Sequence, residues 1–245
     1  MSANPVVLIT GASRGIGAAT AIYFARHGYD ICLNYKKSDE QAKKVAQEIQ
    51  SLGVKVAMLQ ADVSKEAEVV AMFYKIDELF DKVDVLINNV GILKPQMRLL
   101  DMDAARINEV LSTNVTSAFL CAREAIKRMN AGGSIVNVSS AASRTGSPDE
   151  YIDYAASKGA MDTLTIGLAK EVAKQNIRVN GVRPGLIYTD MHRDGGEANR
   201  VDRLKQKLPL ERGGKPEEVA AAIYFLASEQ ASFTTGSFID VAGGL

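Results

Sequence analysis

The chain has 245 residues, of which 47% are hydrophobic and 24% charged, and its 29 basic and 29 acidic side chains give a formal net charge of zero. This length suits one large α/β domain, which can bury a sizeable core without disulfides or metal. The neutral balance lacks the basic patch of a nucleic-acid-binding protein, and no apolar run approaches the length of a membrane span. Because the N-terminus lacks the pattern of a secretion signal, we expect a cytoplasmic protein.

The cysteines and histidines give no metal-ligand spacing. Cys32 and Cys121 lie far apart, and we expect both to be packed thiols. We expect His27 to cap or pack near the end of the first helix and His192 to be a mobile surface residue. No zinc motif is present, so the sequence predicts no metal in the site.

Seven short β-type runs alternate with longer helical patterns along the chain. Most of the runs are apolar throughout, which is typical of parallel strands buried on both faces. Ser38 and Gln41 form a candidate capping box before the second helix, and Pro216 suits the first position of a late one. We therefore predict a Rossmann-type, doubly wound α/β sheet of about seven parallel strands in a single domain, residues 1–245. The predicted strands are 6–10, 31–35, 54–60, 83–88, 134–139, 177–182 and 237–241.

A glycine-rich loop follows the first predicted strand and opens a helix. Its glycines let the backbone turn sharply and approach a phosphate, while the helix N-terminus offers free N–H groups to the anion. A glycine pattern alone also fits a tight turn without a ligand, but the strand before it and the helix after it favour a dinucleotide. The loop is Thr10-Gly11-Ala12-Ser13-Arg14-Gly15-Ile16-Gly17.

The end of the second strand indicates which dinucleotide is bound. NAD-binding units usually place an acidic residue there to hold the ribose 2′-hydroxyl. This chain instead has Tyr35, Lys36 and Lys37, with Arg14 nearby. Since cations favour a 2′-phosphate, we predict a preference for NADP(H), with NAD(H) as the alternative.

Tyr154 and Lys158 stand four residues apart at the start of a helical stretch, so that both side chains share one helix face. A lysine cation near a tyrosine favours the phenolate and lowers the pKa of the phenol. Such a tyrosine can exchange a proton with a substrate oxygen near neutral pH. The same spacing also occurs in ordinary surface pairs, so it needs support from elsewhere in the chain.

That support comes from polar residues at the ends of other predicted strands. The carboxyl ends of parallel strands form the ligand-facing edge of an open sheet. Several polar groups should therefore converge on one crevice. They are Ser139 and Ser140, the run Asn88-Asn89-Val90-Gly91, and Arg183-Pro184-Gly185.

Taken together, these motifs resemble the short-chain dehydrogenase/reductase family from end to end. The resemblance implies that Tyr154 is the general acid/base, that Lys158 lowers its pKa and holds the nicotinamide ribose, and that Ser140 binds the substrate oxygen. It also implies that Asn114 supports a proton path to Lys158. The cofactor-binding residues that the motifs imply are Gly11, Ser13, Arg14, Gly15, Ile16, Gly17, Tyr35, Lys36, Asp62, Val63, Asn89, Gly91, Tyr154, Lys158, Pro184, Gly185 and Thr189.

The chain departs from the family pattern at three places. Val90 stands where alanine is usual. The run 147–152 makes the gap between serine and tyrosine one residue longer than in many members, which leaves Ser139 as a competitor to Ser140. Ala242 replaces the aspartate of the C-terminal Val-Asp-Gly-Gly, which concerns the subunit contact more than the chemistry.

The sequence leaves the substrate open. The expected partner is a small-molecule ketone or secondary alcohol; a 3-oxoacyl thioester on acyl carrier protein is the alternative. Arg123, Lys127 and Arg128 offer a basic docking patch for an acidic carrier, but the family members that dock the carrier hold arginines near the positions of Ala131 and Gln175, which are uncharged here. A non-catalytic NADP-sensing protein on the same fold is the third hypothesis.

Two further expectations concern the lid and the assembly. Residues 186–214 are the least patterned stretch and form a candidate mobile substrate lid. The helix after Tyr154 carries a wide surface of small and apolar residues, and together with the stretch 114–128 it is expected to pack a homotetramer, as the family resemblance implies.

Overall fold

The computed structural model describes residues 4–245, and within them seven strands form one parallel sheet in the order β3-β2-β1-β4-β5-β6-β7. This confirms the predicted Rossmann-type sheet, and the predicted strand ends differ from the observed ones by at most two residues. Residues 1–3, which the sequence assigns to the same domain, lie outside the described residues. The strands are β1 (Val6–Ile9), β2 (Asp30–Tyr35), β3 (Val56–Gln60), β4 (Val85–Asn88), β5 (Ser134–Val138), β6 (Arg178–Pro184) and β7 (Phe238–Val241).

Helices connect the strands, and the strand order reverses between β1 and β4. Ligands of open α/β sheets bind at such a reversal, outside the carboxyl ends of the strands. A π-helical turn, Ser112–Thr116, joins two of the helices. The helices are α1 (Gly15–Arg26), α2 (Asp39–Ser51), α3 (Glu66–Phe80), α4 (Ala104–Leu111), α5 (Ser117–Ile126), α6 (Ala142–Thr145), α7 (Ile152–Val172), α8 (Met191–Asp194), α9 (Arg200–Leu204) and α10 (Pro216–Ala227).

Two apolar layers cover the sheet. One packs α1, α2 and α10 against it, through side chains such as Phe24, Ile49 and Ile223. The other packs α3, α5 and α7, and it contains both cysteines. Burial raises the pKa of both thiols, that of Cys121 to about 12, so the prediction of packed thiols is confirmed. The layers hold the strand ends in fixed positions, and these ends carry the polar residues of the site.

The helix ends show one wrong prediction and one that is confirmed. Ser38 is the N-cap residue of α2, but its side chain makes no capping hydrogen bond. Two acidic residues in the first turn of that helix, Asp39 and Glu40, complement its dipole instead. Pro216 is the first residue of α10, as predicted. His27 ends α1, where its ring stacks on Tyr23 with centroids 4.8 Å apart.

Within residues 4–245, none of the helices is long and apolar enough to cross a membrane. The same residues contain no group of three or more His, Cys, Asp or Glu side chains that could hold a metal ion.

Candidate active site

The glycine loop between β1 and α1 has the close backbone packing of a phosphate cradle. Gly11 adopts a left-handed φ of 65°, which favours glycine. A Cβ on Gly17 would lie 2.3 Å from the carbonyl oxygen of Gly11, so only glycine fits there. The Asn89 amide donates to the carbonyl oxygens of Thr10 and Gly11 at 2.9 and 3.1 Å. Thus Asn89, at the end of β4, holds the loop in shape.

The N-terminus of α1 is suited to an anion. Its N-cap residue, Arg14, makes no side-chain capping hydrogen bond, so the first turn presents its N–H groups. Thr189 lies above the loop, since its Cγ2 would be 3.4 Å from a Cβ on Gly15. The Arg14 guanidinium pairs with Asp194 of α8 at 2.5 Å. Through Thr189 and Asp194, the loop is in direct contact with residues 186–214. The free N–H groups at the start of α1 fit the pyrophosphate of a dinucleotide.

The end of β2 brings the predicted cation together with an acid from the neighbouring strand. Lys36 Nζ lies 2.7 Å from Asp62 Oδ2, while Val63 is buried beside them. Burial raises the pKa of Asp62, but hydrogen bonds from Lys36 and Ser64 outweigh it and hold that pKa below its usual range. Tyr35 is buried and donates its hydroxyl to Asp39 Oδ1 at 2.7 Å. These residues could hold the adenosine end of a dinucleotide, with Lys36 as the cation available to a 2′-phosphate.

Asn114 lies buried in the π-helical turn and joins two parts of the site. Its Oδ1 accepts from the Ile92 N–H at 2.7 Å, and its Nδ2 donates to the Ile92 carbonyl at 3.1 Å. The same Nδ2 donates to Ser157 Oγ at 3.0 Å, and Ser157 donates to the Tyr154 carbonyl at 2.6 Å. Asn114 therefore ties the chain after β4 to α7, and π-helical turns are frequent at functional sites.

The two serines after β5 have different surroundings. Ser139 is buried and donates to the carbonyl oxygen of Lys158 at 3.0 Å, so its hydroxyl holds α7 against the sheet. Ser140 is half-buried, accepts from the Ala142 N–H at 3.1 Å and lowers the pKa of the neighbouring Tyr154 phenol. Of the two, Ser140 is the one whose hydroxyl meets the Tyr154 phenol.

Lys158 and Tyr154 lie together, but the expected lowering of the phenol pKa is wrong for this structure. Burial raises the pKa of Tyr154 to about 12, and the hydrogen bond from Ser140 opposes it only in part. Burial also lowers the pKa of Lys158 to about 8, against the attraction of Asp162. Lys158 Nζ lies 5.6 Å from the centre of the Tyr154 ring and donates to the Val138 carbonyl at 2.8 Å. Desolvation therefore sets the direction of the phenol pKa.

Gly91 and the end of β6 complete the edge of the crevice. A Cβ on Gly91 would lie 3.3 Å from Lys158 Nζ, so the backbone after β4 passes close to the ammonium. Pro184 ends β6, and Gly185 donates its N–H to the Val241 carbonyl at 3.0 Å. A Cβ on Gly185 would approach Ala242 Cα to 2.8 Å, so glycine is needed there. Both residues thus stand at the predicted edge.

Residues 186–214 are more ordered than their composition indicates. They contain α8 and α9, and an ion pair of Arg200 with Glu150 fastens them to the chain before α7, while Arg200 and Glu197 pair within the segment. The Tyr151 hydroxyl donates to the Gly195 carbonyl at 3.3 Å. His192 is half-buried, with Nε2 3.0 Å from the Ile187 carbonyl, so its prediction as a mobile surface residue is wrong.

Sequence reasoning missed the partners that hold these groups. Ser157 is one of the unspecified positions in Tyr-x-x-x-Lys, yet it links Asn114 to Tyr154. Asp194 lies in a stretch without periodicity, so nothing in the sequence connects it with Arg14. The carboxylate that pairs with Lys36 is that of Asp62, which follows β3, and it does not come from β2.

Comparison with known proteins identifies the relatives of this arrangement. Residues 11–245 match the family model described as enoyl-(acyl carrier protein) reductase. The chain is 57% identical over 244 residues to the uncharacterized oxidoreductase YgfF of Escherichia coli, covering 98% of this chain and 99% of that one. It is 36% identical over 247 residues to the 3-oxoacyl-[acyl-carrier-protein] reductase FabG of Staphylococcus aureus, covering 100% and 99%.

Solved structures agree. A short-chain dehydrogenase/reductase from Serratia marcescens matches with a TM-score of 0.92 at 32% identity, covering 98% of this chain and 97% of that one. A short-chain dehydrogenase from Burkholderia cenocepacia in complex with NADP matches with a TM-score of 0.91 at 33% identity and the same coverage.

The fold and the relatives define an oxidoreductase that acts on a CH–OH group with a nicotinamide dinucleotide. The chain belongs to the short-chain dehydrogenase/reductase family, as its motifs predict.

Proposed function

We propose that the protein reduces a small ketone to a secondary alcohol with NADPH, and catalyses the reverse oxidation with NADP⁺. The observation that carries this proposal is the meeting of Ser140, Tyr154 and Lys158 at the carboxyl end of β5. The nicotinamide, when bound, supplies or accepts the hydride. The protein's own groups would orient the substrate and move the proton.

Tyr154 is the proposed acid/base. A phenol with a pKa of about 12 is protonated at neutral pH, so it can donate its proton to the oxygen of a ketone that becomes an alcohol. Ser140 would hydrogen-bond that same oxygen. Lys158, at the ribose end of the site, would hold the cofactor and stabilise the phenolate left behind. The raised phenol pKa favours reduction near pH 7, and oxidation is expected to accelerate as the pH rises.

NADPH is the proposed cofactor because Lys36 stands at the end of β2. Its partner Asp62 holds the ammonium beside the adenosine position, and Arg14 lies at the start of α1. A relative of 33% identity is known in complex with NADP, which supports this assignment.

A 3-oxoacyl thioester on acyl carrier protein is the second candidate, because FabG of Staphylococcus aureus is 36% identical. The candidate docking patch argues against it. Arg123 pairs with Glu66 and Glu124, and Lys127 pairs with Glu124. Arg128 pairs with Asp77 and Glu124. Three carboxylates balance three cations, so the patch offers little attraction to an acidic carrier. We therefore favour a free small molecule.

A homotetramer is the proposed assembly. Phe119 of α5 and Ile166 of α7 are 51% and 41% exposed, which leaves apolar surface on the two predicted helices. Light scattering at micromolar concentration tests this, and a monomer would contradict it.

The experiment that tests the function follows NADPH oxidation with a panel of ketones and diketones, and then compares Tyr154→Phe. The variant keeps the ring but removes the hydroxyl, so turnover should fall by about 10²–10⁴-fold with NADPH affinity unchanged. Tyr29→Phe removes a hydroxyl at the opposite ends of the strands and is the control. Near-full turnover by Tyr154→Phe would refute the assignment. Tight NADPH binding without turnover of any carbonyl by the wild type would favour the sensing protein.

A further inference from the structure

A buried ion pair lies directly beside Tyr154 and belongs to none of the motifs. Arg106 Nε of α4 donates to Asp153 Oδ2 at 2.8 Å, and the two side chains are only 10% and 2% exposed. Asp153 is in the first turn of α7, and its other oxygen accepts the Tyr154 N–H at 2.9 Å. One carboxylate therefore joins Arg106 to the main chain of the proposed acid/base.

The same guanidinium also holds the chain that follows β4. Arg106 Nη1 donates to the Pro95 carbonyl at 2.7 Å. Pro95 in turn faces the lid, because a Cβ on Gly196 would lie 3.5 Å from Pro95 Cβ. Nearby, a Cβ on Gly195 would meet Leu93 Cδ2 at 2.6 Å. Arg106 thus stands where residues 92–97, the start of α7 and the lid meet.

Stability alone does not explain this pair. Burying two charges costs desolvation energy that their attraction often fails to recover, so an apolar pair of similar volume is commonly as stable. The helix α4 does not need the side chain, since Asp103 already caps it through the Arg106 N–H at 2.8 Å. Arg106 Nη2 is buried without a hydrogen-bond partner among residues 4–245, which adds to the cost. What the pair does provide is a fixed geometry: a guanidinium is a rigid fork, so its donor positions fix the groups that it binds relative to one another.

We infer that Arg106 and Asp153 are positioning residues that fix residues 92–97 against Tyr154, and so set the place of the substrate carbonyl relative to the phenol. This inference rests on the proposed function. Arg106 and Asp153 act through other residues, so their loss should lower kcat while leaving NADPH binding intact, because the phosphate loop lies at β1 and not at α4.

The experiment compares Arg106→Lys and Asp153→Asn with the wild type. Lysine keeps the charge beside Asp153, but its single ammonium cannot reproduce the fork that also reaches Pro95. Displacements of about 1 Å can cost 10²-fold in rate, so we expect kcat to fall by roughly 10- to 100-fold in both variants, with NADPH affinity within about twofold. All rates are measured well below each melting temperature.

Asp77→Asn is the matched control. It breaks a more exposed arginine–carboxylate pair between α3 and the residues just after α5, with Arg128 and Asp77 side chains 15% and 38% exposed. It should lower the melting temperature without changing kcat. If Arg106→Lys and Asp153→Asn also lose only stability and keep kcat, the inference is overturned.

Hydrogen exchange separates this inference from the proposed function. Both variants should accelerate exchange in residues 92–97 and in the first turn of α7 together, whereas Asp77→Asn should not. Unchanged exchange in either segment would overturn the inference, whether or not a substrate is found. A wild type without turnover, but with the coupled exchange, would instead overturn only the proposed function.

Discussion

The strand ends and the lid face each other across the crevice, yet different interactions hold them. At the strand ends, uncharged and buried amides dominate: Asn88 donates to Asn137 and Asn137 donates to Thr165, both at 2.9 Å. The lid is held by charged side chains instead: Arg200 pairs with Glu150 outside the lid, and Arg203 pairs with Glu197 within it. Salt and pH act on the second kind of interaction and barely on the first. The half of the site proposed to bind the cofactor is therefore rigid by packing, whereas the half proposed to select substrate is fastened by groups that solvent conditions can release.

The largest effect is expected from breaking the rigid half at Gly17. In Gly17→Ala, the new Cβ would lie 2.3 Å from the Gly11 carbonyl, so the loop must move by about 1 Å. A displacement of that size typically costs about 10²-fold in rate. We expect turnover at fixed NADPH to fall by about this factor, and NADPH fluorescence titration to show weaker binding. Unchanged affinity would show that the loop is not a rigid cradle.

A smaller effect is expected at Lys36, where charge enters the cofactor half. Lys36→Ala removes a charge-assisted hydrogen bond to a 2′-phosphate, which typically contributes about 1.5–3 kcal/mol, and the half-exposed lysine favours the low end. NADPH affinity should weaken by roughly tenfold, since about 1.4 kcal/mol is a factor of ten, and NADH affinity should not change. Lys44→Ala, on the exposed surface of α2, is the control. An equal loss for both dinucleotides would reject the 2′-phosphate assignment.

The smallest effect is expected in the lid, at Glu197. Hydrogen bonds, first from Arg203 and then from Arg200, lower the pKa of Glu197 from 4.5 to about 2. Partial burial opposes this shift but does not cancel it. Because the folded pKa is depressed, the stabilisation is complete above about pH 4.5 and is lost as the pH falls towards 2. At neutral pH, Glu197→Gln should loosen the lid by about 1 kcal/mol, as for other surface pairs, and added salt should do the same.

Proteolysis within residues 186–214 measures this loosening. Glu211→Gln is the control, since Glu211 lies in the same segment but forms no ion pair among residues 4–245. Equal cleavage of both variants would mean that charges do not fasten the lid.

The contrast between the packed strand ends and the charged lid also explains what could be predicted from the sequence. Strands buried on both faces leave continuous apolar runs, so all seven strands and the polar residues at their ends were predictable. The cradle at Gly11 and Gly17 was predictable because backbone geometry demands glycine there.

Contacts between distant charged residues were not predictable. Arg14 and Asp194 are separated by 180 residues, and no periodicity relates them. The direction of the Tyr154 pKa was also missed, because the spacing to Lys158 reveals a neighbouring charge but not how deeply the phenol is buried. Both depend on the packing of the whole chain.

The placement of the two cysteines has a practical consequence. Both thiols belong to the apolar layer formed with α3, α5 and α7, and the opposite layer contains none. A buried thiol with a raised pKa reacts slowly with alkylating reagents until the structure around it opens. The rate of alkylation therefore reports how often the layer with α3, α5 and α7 opens. It gives no information about the layer on the other face of the sheet. Because neither cysteine lies in the crevice, a thiol introduced on the lid could be labelled against an unreactive background.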